Sequence, residues 1–389
     1  MITILKKIAI IFLLMSFISC SDDDAYDKKK AISVFADINE IKIDADLAAL
    51  PIKLSNPIKN ENWGVGFFQE NEIFENLEFT PIQADKASKQ KFLTKSRQIW
   101  SGYRPGFSDR FVFEPIIKND KVFLLDASGI LWAYDLVSKN RIFKNRIFKR
   151  RYLKNYQNPK IGYFDGTIYA IAGSNEIAAA SAIDGKILWS KTILSLPISK
   201  PVSDGRMVYV ITADSKTYAL NAATGDLIWV VSGVDKSTAI LGAANPVIYK
   251  DKLVVAYSSG EIYALNKSNG EEIFSQDLNI NKAINSDFYL NDIDATPLVK
   301  DDVIYAIGNG GLMMAIDIKS GNYLWKKEIA SIADFWAASG FLFVVDNNDR
   351  LITLSQKTGN VKAILQLPEF RDVKKPQTKI IYNGVIMAG

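Results

Sequence analysis

Short apolar runs separated by turn residues recur along most of the chain. In residues 201 to 220, Asp204 and Gly205 supply a turn, Met207 to Ile211 is a continuous apolar run, and Tyr218 to Leu220 continues a second one. A glycine-containing turn followed by about five apolar or alternating residues is typical of a β-hairpin, and the continuous runs indicate strands buried on both faces. The pattern predicts an all-β fold of short antiparallel strands.

One hairpin is repeated at a nearly regular interval. It reads "ALNAATGDLIW" at 219 to 229, with close copies at 179 to 189, 264 to 274 and 315 to 325 and weaker copies at 133 to 143 and 353 to 363. The aligned turn positions, which lie 38 to 51 residues apart, are Asn140, Gly185, Gly225, Gly270, Gly321 and Gly359. A period near forty with four short strands in each unit is the signature of a β-propeller.

The strand sets predict about six complete blades. They begin near Pro115, Pro159, Pro201, Pro246, Pro297 and Ala337. Residues 379 to 389 then read as the first strand of a seventh blade, and residues 97 to 103 as an isolated outer strand. We therefore expect a propeller at 62–389 that is not fully closed and that has exposed sheet edges. Two explanations stay open: a truncated or split reading frame, or a genuinely open variant.

Tryptophan recurs at the end of the repeated hairpin. We expect the blade-packing residues to be Trp100, Trp189, Trp229 and Trp325, with Phe143 and Phe274 as substitutes in two repeats. Large aromatic side chains at a fixed offset from a turn favour packing between adjacent blades. A row of tryptophans that lines a cofactor or sugar site is the alternative.

The first sixty residues predict export and anchoring. Lys6 and Lys7 precede an apolar run from Ile8 to Ile18, which is too short to span a bilayer as a helix. The run leads to Cys20, the one cysteine of the chain. We expect a signal peptide at 1–19, lipidation of Cys20, and a tether with an extended lead-in at 20–61; an inert buried thiol is the alternative for Cys20.

Composition excludes several kinds of chemistry. The 389 residues contain no histidine, so histidine-based acid–base catalysis and histidine-ligated zinc are excluded, and one cysteine cannot form an intramolecular disulfide. The formal net charge of +4 gives no support for a nucleic-acid partner. Residues 138–154 carry eight basic side chains with a duplicated NRIFK. This segment could bind acidic lipid head groups or RNA, but a solvated insertion between blades is the simpler interpretation.

The repeats resemble the PQQ-like propeller repeat, and residues 291 to 354 resemble the matching stretch of the BamB family of outer-membrane-assembly lipoproteins. "FISC" before Ser21 also resembles a bacterial lipobox. The resemblance implies a ring of eight blades, of which this chain lacks part. It further implies a non-enzymatic scaffold without a cofactor, anchored by lipid to the outer membrane and facing the periplasm. The partners implied are the POTRA domains of the barrel-assembly protein BamA and unfolded outer-membrane proteins.

The resemblance also implies which residues bind the partner. Asp292 and Asp294 lie in the loop before Pro297, and Ile240 and Leu241 lie in the corresponding loop of the neighbouring blade. Leu241 stands where the family carries a basic residue. The alternative for the two aspartates is that they are solvated or cap a turn. The rival function is a quinone-dependent or sugar-binding envelope enzyme that shares only the fold; a channel with convergent carboxylates and an arginine would favour it.

Overall fold

The repeated hairpins form six antiparallel sheets within residues 42–389, which make up one structural unit. The computed structural model describes residues 41–59, 62–64, 76–78, 114–126, 128–149, 159–234, 244–279, 292–370 and 379–388. These residues contain twenty-four strands and one short helix. In each sheet four consecutive strands pair in chain order, so every sheet is one blade.

The strand boundaries follow the repeat. Blade 1 contains β1 (Ile116–Lys118), β2 (Lys121–Leu125), β3 (Ile130–Asp135) and β4 (Arg141–Arg146); blade 2 contains β5 (Lys160–Phe164), β6 (Thr167–Ile171), β7 (Glu176–Ser181) and β8 (Ile187–Thr192); blade 3 contains β9 (Val202–Ser203), β10 (Met207–Ile211), β11 (Lys216–Asn221) and β12 (Leu227–Ser232). Blade 4 contains β13 (Val247–Tyr249), β14 (Lys252–Ala256), β15 (Glu261–Asn266) and β16 (Glu272–Asp277); blade 5 contains β17 (Leu298–Lys300), β18 (Val303–Ile307), β19 (Leu312–Asp317) and β20 (Tyr323–Glu328); blade 6 contains β21 (Trp336–Ala338), β22 (Phe341–Val345), β23 (Arg350–Ser355) and β24 (Val361–Gln366). The prediction of an all-β propeller with six four-stranded blades is confirmed.

The hydrophobic core lies between blades and not within one sheet. Val208 and Val210 of β10 pack with Ile177 of blade 2, whereas Tyr209 and Ile211 of the same strand pack with blade 4. Successive side chains of a strand point to opposite faces, so one strand contributes to two cores. This explains why all five residues of β10 are buried and apolar.

A glycine against an aromatic ring joins each blade to the next. Gly225 in the turn before β12 has φ +73°, and a Cβ at this glycine would lie 2.5 Å from Cε3 of Trp189 in blade 2. The same arrangement pairs Gly185 with Phe143, Gly270 with Trp229, Gly321 with Phe274 and Gly359 with Trp325. Glycine is needed here for two reasons, the left-handed backbone and the close approach of the ring.

The tryptophans also donate hydrogen bonds to the following blade. The indole Nε1 of Trp189 donates to the carbonyl oxygen of Ala222 at 2.9 Å. In the same way Trp229 donates to Lys267 at 3.2 Å, and Trp325 donates to Gln356 at 2.8 Å. In blade 1 the left-handed turn position is Lys139 with φ 61°, not Asn140 as the sequence alignment predicts. Position 139 is the one that aligns with Gly225 when 133–143 is placed on 219–229, so the choice of Asn140 as the turn position was wrong by one residue.

A lead-in segment before the propeller covers the outer edge of blade 6. Among its described residues it contains helix α1 (Ala45–Ala49), which Asp44 caps through its side chain. The Asp44 amide donates to the Val361 carbonyl oxygen of β24 at 2.8 Å. Lys362 Nζ donates to the carbonyl oxygens of Leu47 (2.8 Å), Ala48 (3.3 Å) and Leu50 at the C-terminal end of α1. We call residues 42–50 the edge strap.

Among the strands that the structure describes, no pairing closes the six sheets into a ring. Isolated β-bridges between terminal segments span from blade 6 towards blade 1, and they join Asp334 to Gly384, Leu77 to Ala388, Ile58 to Leu77 and Trp63 to Ile117. The residues expected to start a seventh blade, 379–388, make single bridges and no regular strand. Across the part of the chain that the structure describes, no helix is long and apolar enough to cross a membrane.

Candidate functional site

The meander topology places the loops of each blade on two opposite faces. Loops that connect one blade to the next lie on the same face as the β2–β3 turn and its equivalents, because consecutive strands are antiparallel. We call this the interblade-loop face. The β1–β2 and β3–β4 turns and their equivalents lie on the opposite face, the turn face. The first strand of each blade is the inner strand and starts from the interblade-loop face.

A chain of hydrogen bonds links the starts of four inner strands. The Lys200 amide donates to Asn245 Oδ1 at 2.9 Å, and Asn245 Nδ2 donates to Thr296 Oγ1 at 3.0 Å. The Thr296 amide then donates to Asp334 Oδ1 at 2.7 Å. Three of these residues precede a proline, which supplies no N–H of its own. We call Lys200, Asn245, Thr296 and Asp334 the polar relay; it registers blades 3 to 6 against one another.

Two lysines lie at the same end of the inner strands. Lys200 is 4% exposed, and its Nζ donates to the Gly64 carbonyl oxygen at 2.6 Å and lies 3.8 Å from Glu114 Oε2. Burial lowers the pKa of Lys200, and the charges of Glu114 and Asp334 oppose that change. Burial likewise lowers the pKa of Lys160, against the carboxylates of Glu114, Asp334 and Asp294. The lysines thus act as partly compensating charges for a group of acids.

At the same end, the protein environment disfavours the ionised form of two aspartates, Asp334 and Asp294. The surrounding protein raises the pKa of Asp334 by desolvating the carboxylate, and the charge of Glu114 raises it further. The side chain nevertheless keeps solvent-accessible surface. Burial and then the neighbouring Asp292 raise the pKa of Asp294 to about 6, with Lys160 acting in the opposite direction. Within the described residues, no group of three acidic side chains could hold a metal ion.

The predicted partner-binding aspartates lie beside this group and not on an open rim. Asp292 is 1% exposed, and its carbonyl oxygen accepts a 2.9 Å hydrogen bond from the Asn309 amide, which fixes the end of the loop to blade 5. Asp294 is half-buried, and its Oδ1 has no hydrogen-bond partner among the described residues. The contact with Asn309 joins positions 17 residues apart, and the local sequence does not reveal it.

Other predicted residues are placed as follows. Trp189, Trp229 and Trp325 lie at the junctions of blades 2 and 3, 3 and 4, and 5 and 6, as described above. The remaining predicted residues, Cys20, Trp100, Ile240 and Leu241, lie outside the described residues.

The interblade-loop face carries exposed apolar side chains that the sequence reasoning did not single out. Leu194 is 92% exposed, and Val234 and Ile332 are 52% and 49% exposed. They follow the outer strands of blades 2, 3 and 5. Val234 opens the loop that contains Ile240 and Leu241. The sequence marks such a residue by a second apolar position shortly after the end of the outer strand, as in Ile193 and Leu194 after β8.

A cavity of about 320 Å³ lies along the inner strands of blades 4, 5 and 6. Its remaining walls come from Trp63, Glu114 and residues 383–386. Val247, Leu298, Phe335 and Trp336 make most of the lining apolar, whereas Glu114, Thr296 and Asp334 give it one polar end.

Comparison with known proteins agrees with this architecture. A BamB of Yersinia pestis, an outer membrane protein assembly factor, is 27% identical over 299 residues, which is 75% of either chain. The BamB of Moranella endobia is 26% identical over 276 residues, 68% of this chain and 71% of that one.

Two solved structures share the fold. BamB from Moraxella catarrhalis superimposes with a TM-score of 0.57 at 18% identity, over 64% of this chain and 73% of that one. A europium-containing methanol dehydrogenase gives 0.50 at 12% identity, over 61% and 62%. At these identities the two likenesses concern the fold alone.

The family profile decides the assignment. The profile described as "Outer membrane protein assembly factor BamB" matches residues 129–364, from the start of β3 in blade 1 to β24 in blade 6. This span is more than half of the chain, and with the propeller and the two relatives it shows that the chain belongs to the BamB family of outer membrane protein assembly factors.

Proposed function

We propose that the protein is a non-enzymatic periplasmic scaffold of outer-membrane β-barrel assembly, which binds BamA through the interblade-loop face. The observation that carries the proposal is the family match across residues 129–364, which covers nearly all of the six blades. A rigid propeller is suited to such a role because packed blades hold several loops at fixed positions on one face.

The exposed side chains of the interblade-loop face support a protein contact there. Leu194, Val234 and Ile332 project from loops of three blades, and exposed apolar residues grouped on one face favour a protein-binding surface. Ile240 and Leu241 belong to the loop that Val234 opens and are proposed to extend the same surface. Because Leu241 replaces a basic residue of the family, we propose that the contact is mainly apolar in this region.

Asp292 and Asp294 take different parts in the proposal. The backbone carbonyl oxygen of the buried Asp292 accepts a hydrogen bond from the Asn309 amide, so we assign Asp292 a positioning role. Asp294 is more exposed than Asp292, so it is the better candidate for direct contact, although its Oδ1, which has no hydrogen-bond partner among the described residues, is itself buried.

The proposal includes an anchored arrangement of the chain. Residues 1–19 are the signal peptide, Cys20 carries the lipid, residues 20–61 form the tether and lead-in, and 62–389 form the propeller at the outer membrane. The docking of the edge strap on β24 supports the proposal that the lead-in lies against the propeller and is not an independent domain. Unfolded outer-membrane proteins would pair with exposed outer strands such as β12. Retained binding after the interblade loops are shortened would support that mode, and lost binding would contradict it.

The rival enzymatic function has one feature in its favour and two against it. Carboxylates do converge at the polar end of the cavity, but they face Lys160 and Lys200 in place of an arginine. The backbone carbonyl oxygen of Gly64 already accepts a hydrogen bond from Lys200.

A co-purification experiment tests the proposal. The full chain, tagged at residues 137–139 on the turn face, is isolated from detergent-solubilised envelope, and bound proteins are identified by mass spectrometry. We expect BamA with the wild type and with Ile183→Asp, a turn-face control at a position that is 77% exposed. Leu194→Asp combined with Val234→Asp should remove BamA. Absence of BamA from the wild type would refute the scaffold role, and its retention by the double variant would refute the proposed face.

A further inference from the structure

The channel cavity has the size and lining of a small-molecule site. Its volume of about 320 Å³ lies at the lower end of the range found for ligand pockets. Trp63, Phe335 and Trp336 supply aromatic surface, and Val247 and Leu298 supply aliphatic surface. An apolar body of roughly benzene size with a short chain is expected to fit such a space.

Among the described residues, the polar end of the cavity is lined by two acidic side chains and by no basic one. Glu114 and Asp334 both line it, and the charge of Glu114 raises the pKa of Asp334. Lys160 and Lys200 lie behind these acids and, among the described residues, neither contributes to the lining. Lys200 Nζ is engaged by the Gly64 carbonyl oxygen at 2.6 Å and is 3.8 Å from Glu114, beyond hydrogen-bond distance. The half-exposed carboxylate of Glu114 therefore retains the capacity to accept hydrogen bonds from a ligand.

We propose that this cavity binds a small organic cation, an ammonium group attached to an aromatic or aliphatic body. The ammonium group lies between Glu114 and Asp334, where it relieves the repulsion of the two acids, and the body lies against Trp63, Phe335 and Trp336. Aromatic faces attract cations, and a carboxylate beside them strengthens the preference. Anions are rejected by the same two acids. This inference goes beyond the proposed function and does not depend on it.

Three probes of similar shape and different charge test the preference. Phenethylammonium, phenethyl alcohol and 3-phenylpropionate are titrated into the purified full chain in detergent, with empty micelles as the blank, and binding is measured by isothermal titration calorimetry. We expect phenethylammonium to bind about tenfold more tightly than the alcohol, which corresponds to about 1.4 kcal/mol, and 3-phenylpropionate to show no saturable binding. Equal affinities for all three, or no saturable binding of phenethylammonium, would overturn the proposal.

Two variants locate the binding. Glu114→Gln keeps the shape of an exposed side chain and should weaken phenethylammonium binding by about fivefold or more, whereas Glu271→Gln on the turn face should leave it unchanged. Leu298→Trp fills the cavity and should abolish binding, with Leu324→Trp on the exposed edge of β20 as its control. Circular dichroism verifies the fold of each variant. Unchanged affinity in Glu114→Gln would place the ligand elsewhere and refute the assignment.

Discussion

Substitution of Gly225 by alanine tests the glycine-to-aromatic junction between blades 2 and 3. Gly225 has φ +73°, and a Cβ there would lie 2.5 Å from Cε3 and 2.7 Å from Cδ2 of Trp189, and 2.8 Å from Cγ of Lys191. The Trp189 ring cannot retreat easily, because it is buried and its Nε1 is bonded to the Ala222 carbonyl oxygen. Gly225→Ala should therefore strain both the backbone and the packing.

The magnitude follows from these two contributions. A left-handed backbone costs an L-residue about 1–2 kcal/mol, and an extra methyl group in a well-packed core costs about 1–3 kcal/mol. Together they predict a loss of about 2–5 kcal/mol in the free energy of unfolding. Gly166→Ala is the matched control, because Gly166 has φ +78° and a Cβ there would have nothing within 4 Å. It should lose only the backbone contribution of about 1–2 kcal/mol.

Urea unfolding followed by tryptophan fluorescence measures both variants, and circular dichroism provides a second probe. We expect Gly225→Ala to be less stable than Gly166→Ala by about 1–3 kcal/mol. Gly340→Ala, at φ +80° and equally free of neighbours, should behave like Gly166→Ala. If all three variants lose the same stability, the backbone alone explains these glycines and the packing argument is wrong.

Three further substitutions probe the buried acid, the edge strap and the indole hydrogen bonds. Asp294→Asn should raise the free energy of unfolding by about 1–3 kcal/mol at pH 7.5 and by almost nothing at pH 4. Burial and Asp292 raise the pKa of Asp294 in the folded protein to about 6. The Asp294 carboxyl therefore ionises first in the unfolded chain, and the wild type loses stability as the pH rises from about 4 to 6. Urea titrations at the two pH values check this, and a pH-independent difference would contradict it. Lys362→Met should speed amide hydrogen exchange in α1 by about tenfold, without a comparable increase in the blades, because three carbonyl oxygens lose their donor. Lys357→Met, at an exposed position, is the control. Equal exchange rates in the two variants would exclude a role for Lys362. Trp325→Phe should lower the free energy of unfolding by about 1–2 kcal/mol, because it removes the hydrogen bond to Gln356 and part of the buried side-chain volume. An unchanged free energy in urea unfolding would show that the hydrogen bond contributes nothing.

The sequence contains most of the information about the blades. Each unit repeats the same turns and apolar runs, and the inner strands begin within a few residues of the predicted starts, from Pro115 to Ala337. The turn position of blade 1 was assigned to Asn140 in place of Lys139, because a left-handed lysine has no mark in the sequence, whereas a glycine does. It also left unseen that Gly225 receives the ring of the preceding blade, since that contact joins residues far apart in the chain.

The candidate site was much less visible. The polar relay consists of Lys200, Asn245, Thr296 and Asp334, which look ordinary one at a time and meet only because the inner strands converge. The burial of Asp292 was equally invisible, because an aspartate before a strand carries no mark of it in the sequence. Local patterns identify strands and turns, but which polar groups share a desolvated space depends on packing between blades.

The edge strap has a consequence for the order of folding. Asn360 Nδ2 donates to Asp44 Oδ2 at 2.7 Å across 316 positions of sequence, and Lys362 reaches Leu47 across 315. Blades form from neighbouring hairpins, but this contact requires β24, the last of the strands, to be in place before a segment near the start of the chain can dock. Strap docking should therefore be the concluding step of folding. Until then the outer edge of blade 6 stays open to other chains, which makes the interval after blade assembly the period of greatest aggregation risk.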